Sequence, residues 1–89
     1  MLWEVSEFKM KIIRISAIWC SSCIIMKSRF NDCIKDKNIE VVSLDFDTDD
    51  IEKYNVGEIL PVYIKEEKGR EIERLVGEHS KKEIEEFLS

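Results

Sequence analysis

The chain of 89 residues is poor in several residue types: it has one proline, three glycines, three cysteines and one histidine. It also lacks any apolar run near the ~20 residues that a membrane-spanning helix needs. Its 14 basic and 19 acidic residues are interspersed and give a net charge of −5, so no basic cluster offers a surface to nucleic acid or to an anionic membrane. We therefore expect a single domain over residues 1–89 that binds neither.

Two sequence signals are missing as well. The stretch Met1–Val5 has no basic segment followed by an apolar one, so no secretory signal is visible. If the sequence is complete, this predicts a cytoplasmic protein. Structural disulfides are rare in that compartment, where a cysteine pair is more often catalytic or metal-binding. No glycine-rich dinucleotide fingerprint is present, so we expect no bound cofactor.

Two of the three cysteines stand three positions apart in Trp19-Cys20-Ser21-Ser22-Cys23. The β-branched stretch Lys11–Ala17 predicts a strand before them, and the apolar spacing after them predicts a helix. Cys20 then lies in the first helical turn, where free N–H groups and the helix dipole favour a thiolate. We expect Cys20 to attack a disulfide and Cys23, one turn deeper, to resolve the product.

Zinc sites use the same cysteine spacing, so a metal-binding module is the alternative. The second ligand pair that such a site usually needs is missing, since only Cys33 and His79 remain. We therefore favour redox chemistry and predict no metal site. Cys33 is expected to be a small buried hydrophobe on the inner face of the helix. His79 is expected to be exposed to solvent.

The whole chain predicts the order β-α-β-α-β-β-α. A strand, a helix and a second strand make a βαβ unit, so the first two strands should be parallel, with the first strand between the second and the third. The expected elements are strands at Lys11–Ala17, Glu40–Phe46, Val62–Lys65 and Glu71–Val76, an active-site helix to about Lys37 closed by Asn38 in the left-handed conformation, a short helix through Tyr54, and a last helix opened by the capping box Ser80-Lys81-Lys82-Glu83.

An acidic run, 45–50, briefly resembles a calcium loop. The match fails, because Asp50 stands where glycine is needed and Val56 where glutamate is needed. We instead expect Thr48 or Asp49 to cap the short helix, with Glu52 completing a capping box if Asp49 is the cap.

With these elements in place, the sequence resembles the thioredoxin family over nearly its whole length. The matching segments are Ala17-x-Trp19-Cys20-x-x-Cys23, Leu60-Pro61, Lys68-Gly69, Val76-Gly77 and Lys82-Glu83-x-x-Glu86-Phe87-Leu88. The resemblance implies an α/β protein with a minimal thioredoxin fold: a four-stranded mixed sheet with helices on both faces, lacking the family's first strand. Residues Met1–Phe8 would partly cover the sheet edge that this leaves.

The resemblance also implies roles for particular residues. Cys20 and Cys23 would form the redox-active disulfide, with Trp19 packed beside it. The Leu60–Pro61 bond would be cis, the alternative being an ordinary trans proline, and Leu60 would pair with an extended peptide. Val76 and Gly77 would face that substrate.

The implied partners are disulfide-containing proteins and a protein reductase such as thioredoxin reductase, for a chain that is expected to be a monomer. A glutaredoxin-like, glutathione-dependent reductase is the nearest alternative. It is less well supported, because no Gly-Gly pair follows the last strand and the active site lacks Pro-Tyr.

Several residues depart from the family pattern. Ser21-Ser22 replaces Gly-Pro between the cysteines, and the loop before Pro61 is one residue longer than usual. Arg14 stands where thioredoxins bury an acid that takes the proton of the resolving thiol, and a guanidinium cannot act as a base. Near Cys23 it would lower the pKa of that thiol. We slightly favour the other possibility, in which Arg14 reaches solvent or pairs with Asp45.

Overall fold

The structure is a computed structural model that describes residues 10–89. These residues form a four-stranded mixed sheet with flanking helices. Its elements are β1 (Met10–Ser16), α1 (Ser21–Cys33), β2 (Ile39–Asp45), a 3-10 turn (Glu52–Tyr54), β3 (Val62–Glu67), β4 (Arg70–Val76) and α2 (Lys81–Leu88). The strand order is β2-β1-β3-β4, with β1 and β2 parallel and the other two pairings antiparallel. The predicted fold class, element order and central position of β1 are confirmed. The prediction for Met1–Phe8 lies outside the described residues.

The apolar sequence of β1 produces a core on both faces of the sheet. On one face Ile12 packs against α1 and α2, in the cluster that contains Phe30 and Phe87. On the other face Ile13 and Ile15 pack under the loop that carries the 3-10 turn. Within residues 10–89, the two α-helices therefore lie on one face of the sheet and the short 3-10 helix lies on the opposite face.

The first helix begins where predicted and ends earlier. Its buried residues follow the helical spacing and are Cys23, Met26, Phe30 and Cys33. The helix ends at Cys33 rather than near Lys37, with Ile34 as the C-cap residue, and the Lys37 Nζ donates to the Cys33 carbonyl at 3.0 Å. Asn38 does not adopt the left-handed conformation, so that prediction was wrong.

The predicted cap of the second helix was also wrong. Ile51 precedes the 3-10 turn and makes no side-chain capping bond. Asp49 instead accepts the backbone N–H of Asp45, at 2.7 Å, and Asp45 Oδ1 accepts the N–H groups of Asp47 and Thr48. Short acidic side chains can bond their own loop in this way, which competes with a helix start.

The last helix follows its sequence signal closely. Ser80 Oγ accepts the N–H of Glu83 at 3.2 Å and Glu83 Oε1 accepts the N–H of Ser80 at 2.9 Å, which confirms the capping box. Ile84, Phe87 and Leu88 are buried as expected. No helix in the described range 10–89 has both the length and the apolar character that crossing a membrane requires.

Candidate active site

The cysteine pair lies where β1 gives way to α1. Cys20 is the N-cap residue, in an extended conformation, and its Sγ accepts the backbone N–H of Cys23 at 3.1 Å. A sulfur at this position faces the N–H groups of the first helical turn and the positive end of the helix dipole. All three cysteines are free thiols in the structure.

The second thiol has a different environment. Cys23 is 5% exposed and Cys20 is 8% exposed, so both are buried and Cys20 is only slightly more open. Burial, and next a hydrogen bond with Cys20, raise the pKa of Cys23 to about 12. At neutral pH such a thiol is almost wholly protonated. Cys23 must therefore lose a proton before it can act as a nucleophile.

The proline loop and the end of β4 lie together beside the cysteines. Leu60 belongs to the same apolar cluster as Cys20 and Cys23, and the Leu60–Pro61 peptide bond is cis. The carbonyl of Pro61 accepts the N–H of Gly77 at 2.8 Å. Among residues 10–89, the backbone N–H and carbonyl of Leu60 have no hydrogen-bond partner. The structure thus brings five of the predicted site residues together and leaves the backbone N–H and carbonyl of Leu60 unpaired within the described range.

Gly77 has a backbone that requires glycine. Its φ is +89°, and a Cβ added there would lie 3.4 Å from the Cγ2 of Ile59. Val76, which precedes it, pairs with Val62 in the sheet and is 43% exposed. These two residues therefore present a narrow, partly apolar surface next to the proline loop.

Trp19 is anchored at the rim of the site by an acid that the sequence analysis did not assign to it. Its Nε1 donates to Asp47 Oδ2 at 2.7 Å, and its ring meets Phe46 edge-on with the centroids 6.3 Å apart. The indole nevertheless remains 61% exposed. Its packing contact is Phe46, and most of its surface is free to contact another molecule.

Arg14 neither reaches solvent nor pairs with Asp45, so the favoured prediction for it was wrong. The side chain is 9% exposed, its Nε donates to Ser43 Oγ at 3.2 Å, and its Nη1 donates to Asn31 Oδ1 at 3.3 Å. The guanidinium lies 5.9 Å from the centre of the Tyr63 ring. Neutral oxygens on α1 and β2 can satisfy the cation while the sheet buries it.

Two more features of the site were missed. Arg29 of α1 donates through Nη1 to the Glu78 carboxylate at 3.1 Å and to the His79 carbonyl at 2.9 Å, which ties the helix to the loop after β4. Ile18 and Ile59 are 89% and 62% exposed near the cysteines. An exposed isoleucine gives no sequence signal that distinguishes it from a buried one.

The remaining two predicted residues lie away from the reacting sulfurs. Cys33 is buried as expected, at 5% exposure, and its Sγ contacts the Lys81 carbonyl at 3.8 Å. His79 is partly buried rather than exposed, with its Nε2 at 3.1 Å from the Val76 carbonyl and its Nδ1 at 3.4 Å from Glu83. Across residues 10–89, His, Cys, Asp and Glu side chains form no group of three or more that could hold a metal ion.

Comparisons with known proteins agree with this geometry. The family model described as Thioredoxin matches residues 4–89. A structural comparison finds Trxlp from Edwardsiella tarda at a TM-score of 0.83 and 21% identity, covering 91% of this chain and 82% of that one. A mutant thioredoxin from Halobacterium salinarum gives 0.80 and 18%, covering 92% and 74%. The reduced Schistosoma mansoni thioredoxin pre-protein gives 0.79 and 24%, covering 98% and 83%. At these identities the likeness shows the fold. No curated protein matches the chain.

Proposed function

This chain belongs to the thioredoxin family of thiol–disulfide oxidoreductases, and we propose that it reduces disulfide bonds in proteins through Cys20 and Cys23. The observation that carries the proposal is the placement of Cys20 Sγ at the α1 N-cap, 3.1 Å from the N–H of Cys23. A thiolate there would be stabilised by the helix terminus, while the buried partner stays protonated until it is needed.

The proposed reaction has two exchange steps. The Cys20 thiolate attacks one sulfur of the substrate disulfide, forms a mixed disulfide and releases the first substrate thiolate. Cys23 then loses its proton and attacks Cys20 Sγ, which breaks the bond to the substrate and releases the second thiolate. Two electrons pass to the substrate, and the protein ends with a Cys20–Cys23 disulfide.

We propose an extended peptide as the substrate segment. The free N–H and carbonyl of Leu60 can pair with a peptide backbone as an added strand. Exposed apolar side chains flank this position, among them Ile18, Trp19, Ile59 and Val76. Such neighbours favour the apolar residues of a substrate, and the positive φ of Gly77 keeps a side chain from blocking the approach.

We propose a protein reductase as the electron donor. The relevant test mixes the oxidised protein and a protein disulfide with NADPH and either a thioredoxin reductase, or reduced glutathione and glutathione reductase. The expected result is NADPH consumption in the first mixture, abolished by Cys20→Ser and retained by the matched control Cys33→Ala. Retention of turnover by Cys20→Ser would refute the proposed function. Efficient turnover with glutathione alone would assign the chain to the glutaredoxin-like alternative.

A further inference from the structure

A cavity of about 170 Å³ lies beside the resolving cysteine. Cys23 lines it together with Ser16 at the end of β1, Lys27 one turn further along α1, and Asp45 at the end of β2. The space is open to solvent and is large enough for several water molecules. It connects the buried thiol with groups that can carry a proton.

The second exchange step needs such a group. Burial holds Cys23 in its protonated form at neutral pH, and the step cannot proceed until that proton has an acceptor. Arg14 stands where the family places an acid, and a guanidinium has no capacity to accept a proton. Its two hydrogen bonds, to Asn31 and Ser43, also commit it elsewhere.

Most of the charged or titratable groups near Cys23 cannot accept its proton. Cys20 is itself bonded to the substrate at this stage. Lys27 is an ammonium, with three donors and no acceptor. Burial raises the pKa of Tyr63, on β3, so its hydroxyl stays protonated. Asp45 is the remaining group on the cavity wall, and a carboxylate can take a proton.

One carboxylate oxygen of Asp45 is free of hydrogen bonds within the described residues. Its Oδ1 accepts the N–H groups of Asp47 and Thr48 at 2.8 and 3.1 Å, which fixes the carboxylate at the end of β2. Among residues 10–89 its Oδ2 accepts no hydrogen bond. One oxygen therefore orients the group while the other remains available.

We propose that Asp45 is the proton acceptor for Cys23, acting through water in the cavity that the two residues share. This inference rests on the proposed function. When the mixed disulfide has formed on Cys20, the Cys23 proton passes through water to Asp45, the Cys23 sulfur attacks Cys20 Sγ, and the substrate thiolate leaves. Asp45 then returns the proton to solvent or to the leaving thiolate.

The test is a rapid-mixing reaction of the reduced protein with dithiobis(nitrobenzoate). The first coloured thionitrobenzoate reports attack by Cys20, and its rate depends on reagent concentration. The second reports attack by Cys23 within the protein and does not depend on that concentration. Asp45→Asn removes the base and keeps a side-chain oxygen, now of an amide, that can accept the loop N–H groups. Asp45→Ser is a second variant that keeps an acceptor oxygen.

The expected result is an unchanged first phase and a second phase slowed about 100-fold near pH 7, the lower end of what general-base catalysis contributes. In the variants the second rate should rise about tenfold per pH unit and converge on the wild-type rate at high pH, because hydroxide then removes the proton directly. The wild-type rate should vary much less with pH. Asp49→Asn in the same loop is the control and should retain the wild-type pH profile.

Two results would overturn the assignment of Asp45. One is an unchanged second phase in both variants, and the other is an equal slowing at every pH, which a purely structural role would produce. Failure of the proposed function gives a different record: the wild-type protein would release no second thionitrobenzoate at a rate independent of reagent concentration.

Discussion

Alkaline pH should destabilise the reduced protein through Cys23. The native state raises the pKa of this thiol from 9.0 to about 12, so it holds the proton over a range in which the unfolded chain releases it. The resulting stability is fully present below about pH 9, falls as the pH rises and is gone above about pH 12. Each pKa unit is worth about 1.4 kcal/mol, so the contribution of this thiol is on the order of a few kcal/mol.

Urea unfolding followed by far-ultraviolet circular dichroism, with a phosphine reductant present, measures this effect. Cys23→Ala removes the titrating thiol together with its contact to Cys20, and the ionisable groups elsewhere in the chain contribute equally to both proteins and cancel in the difference between them. That difference in unfolding free energy should shrink by about 2 kcal/mol between about pH 8 and about pH 10.5. A difference that stays constant over this range would refute the conclusion that burial keeps Cys23 protonated.

Three further predictions concern packing around the site. Gly77→Ala should lower the free energy of unfolding by about 1–2 kcal/mol and lower turnover, since alanine is strained at φ +89°. The control in urea unfolding is Gly57→Ala, where an added Cβ meets nothing within 4 Å. Equal losses in the two variants would contradict this reasoning. Ser80→Ala should lower the free energy of unfolding in urea by about 1 kcal/mol, because the helix loses its cap. An unchanged urea midpoint would contradict this. Cys33, buried and with its pKa raised mainly by burial, should be alkylated far more slowly than Cys20 in peptide-resolved mass spectrometry; rapid labelling would show that it is accessible.

Features that depend on neighbouring residues could be predicted from the sequence. The capping box joins Ser80 to a residue three positions away, and the structure has both of its hydrogen bonds. Gly69, in the turn between β3 and β4, has a φ of +77°, a conformation that glycine adopts at no steric cost. The parallel pairing of β1 with β2 followed from the length of the helix between them.

Features could not be predicted where several side chains compete for the same backbone groups, or where the partners are distant in the sequence. Thr48 and Asp49 were equivalent cap candidates in the sequence, and the loop used Asp49 for the N–H of Asp45 instead. The burial of Arg14 depends on acceptors 17 and 29 positions away, at Asn31 and Ser43. The cavity beside Cys23 likewise arises where three separate elements meet, so no local pattern indicates it.

The most direct test of the proposed function is to trap its covalent intermediate. Cys23→Ser and Cys20→Ser, each in the reduced form, are mixed with a protein disulfide substrate and analysed by intact-mass spectrometry without reductant. Cys23→Ser should accumulate an adduct linked through Cys20, because attack proceeds and resolution does not. Cys20→Ser should give no adduct, since the remaining thiol of the pair is buried and protonated. Adducts that form equally in both variants, or in neither, would contradict the stepwise exchange through Cys20 and Cys23.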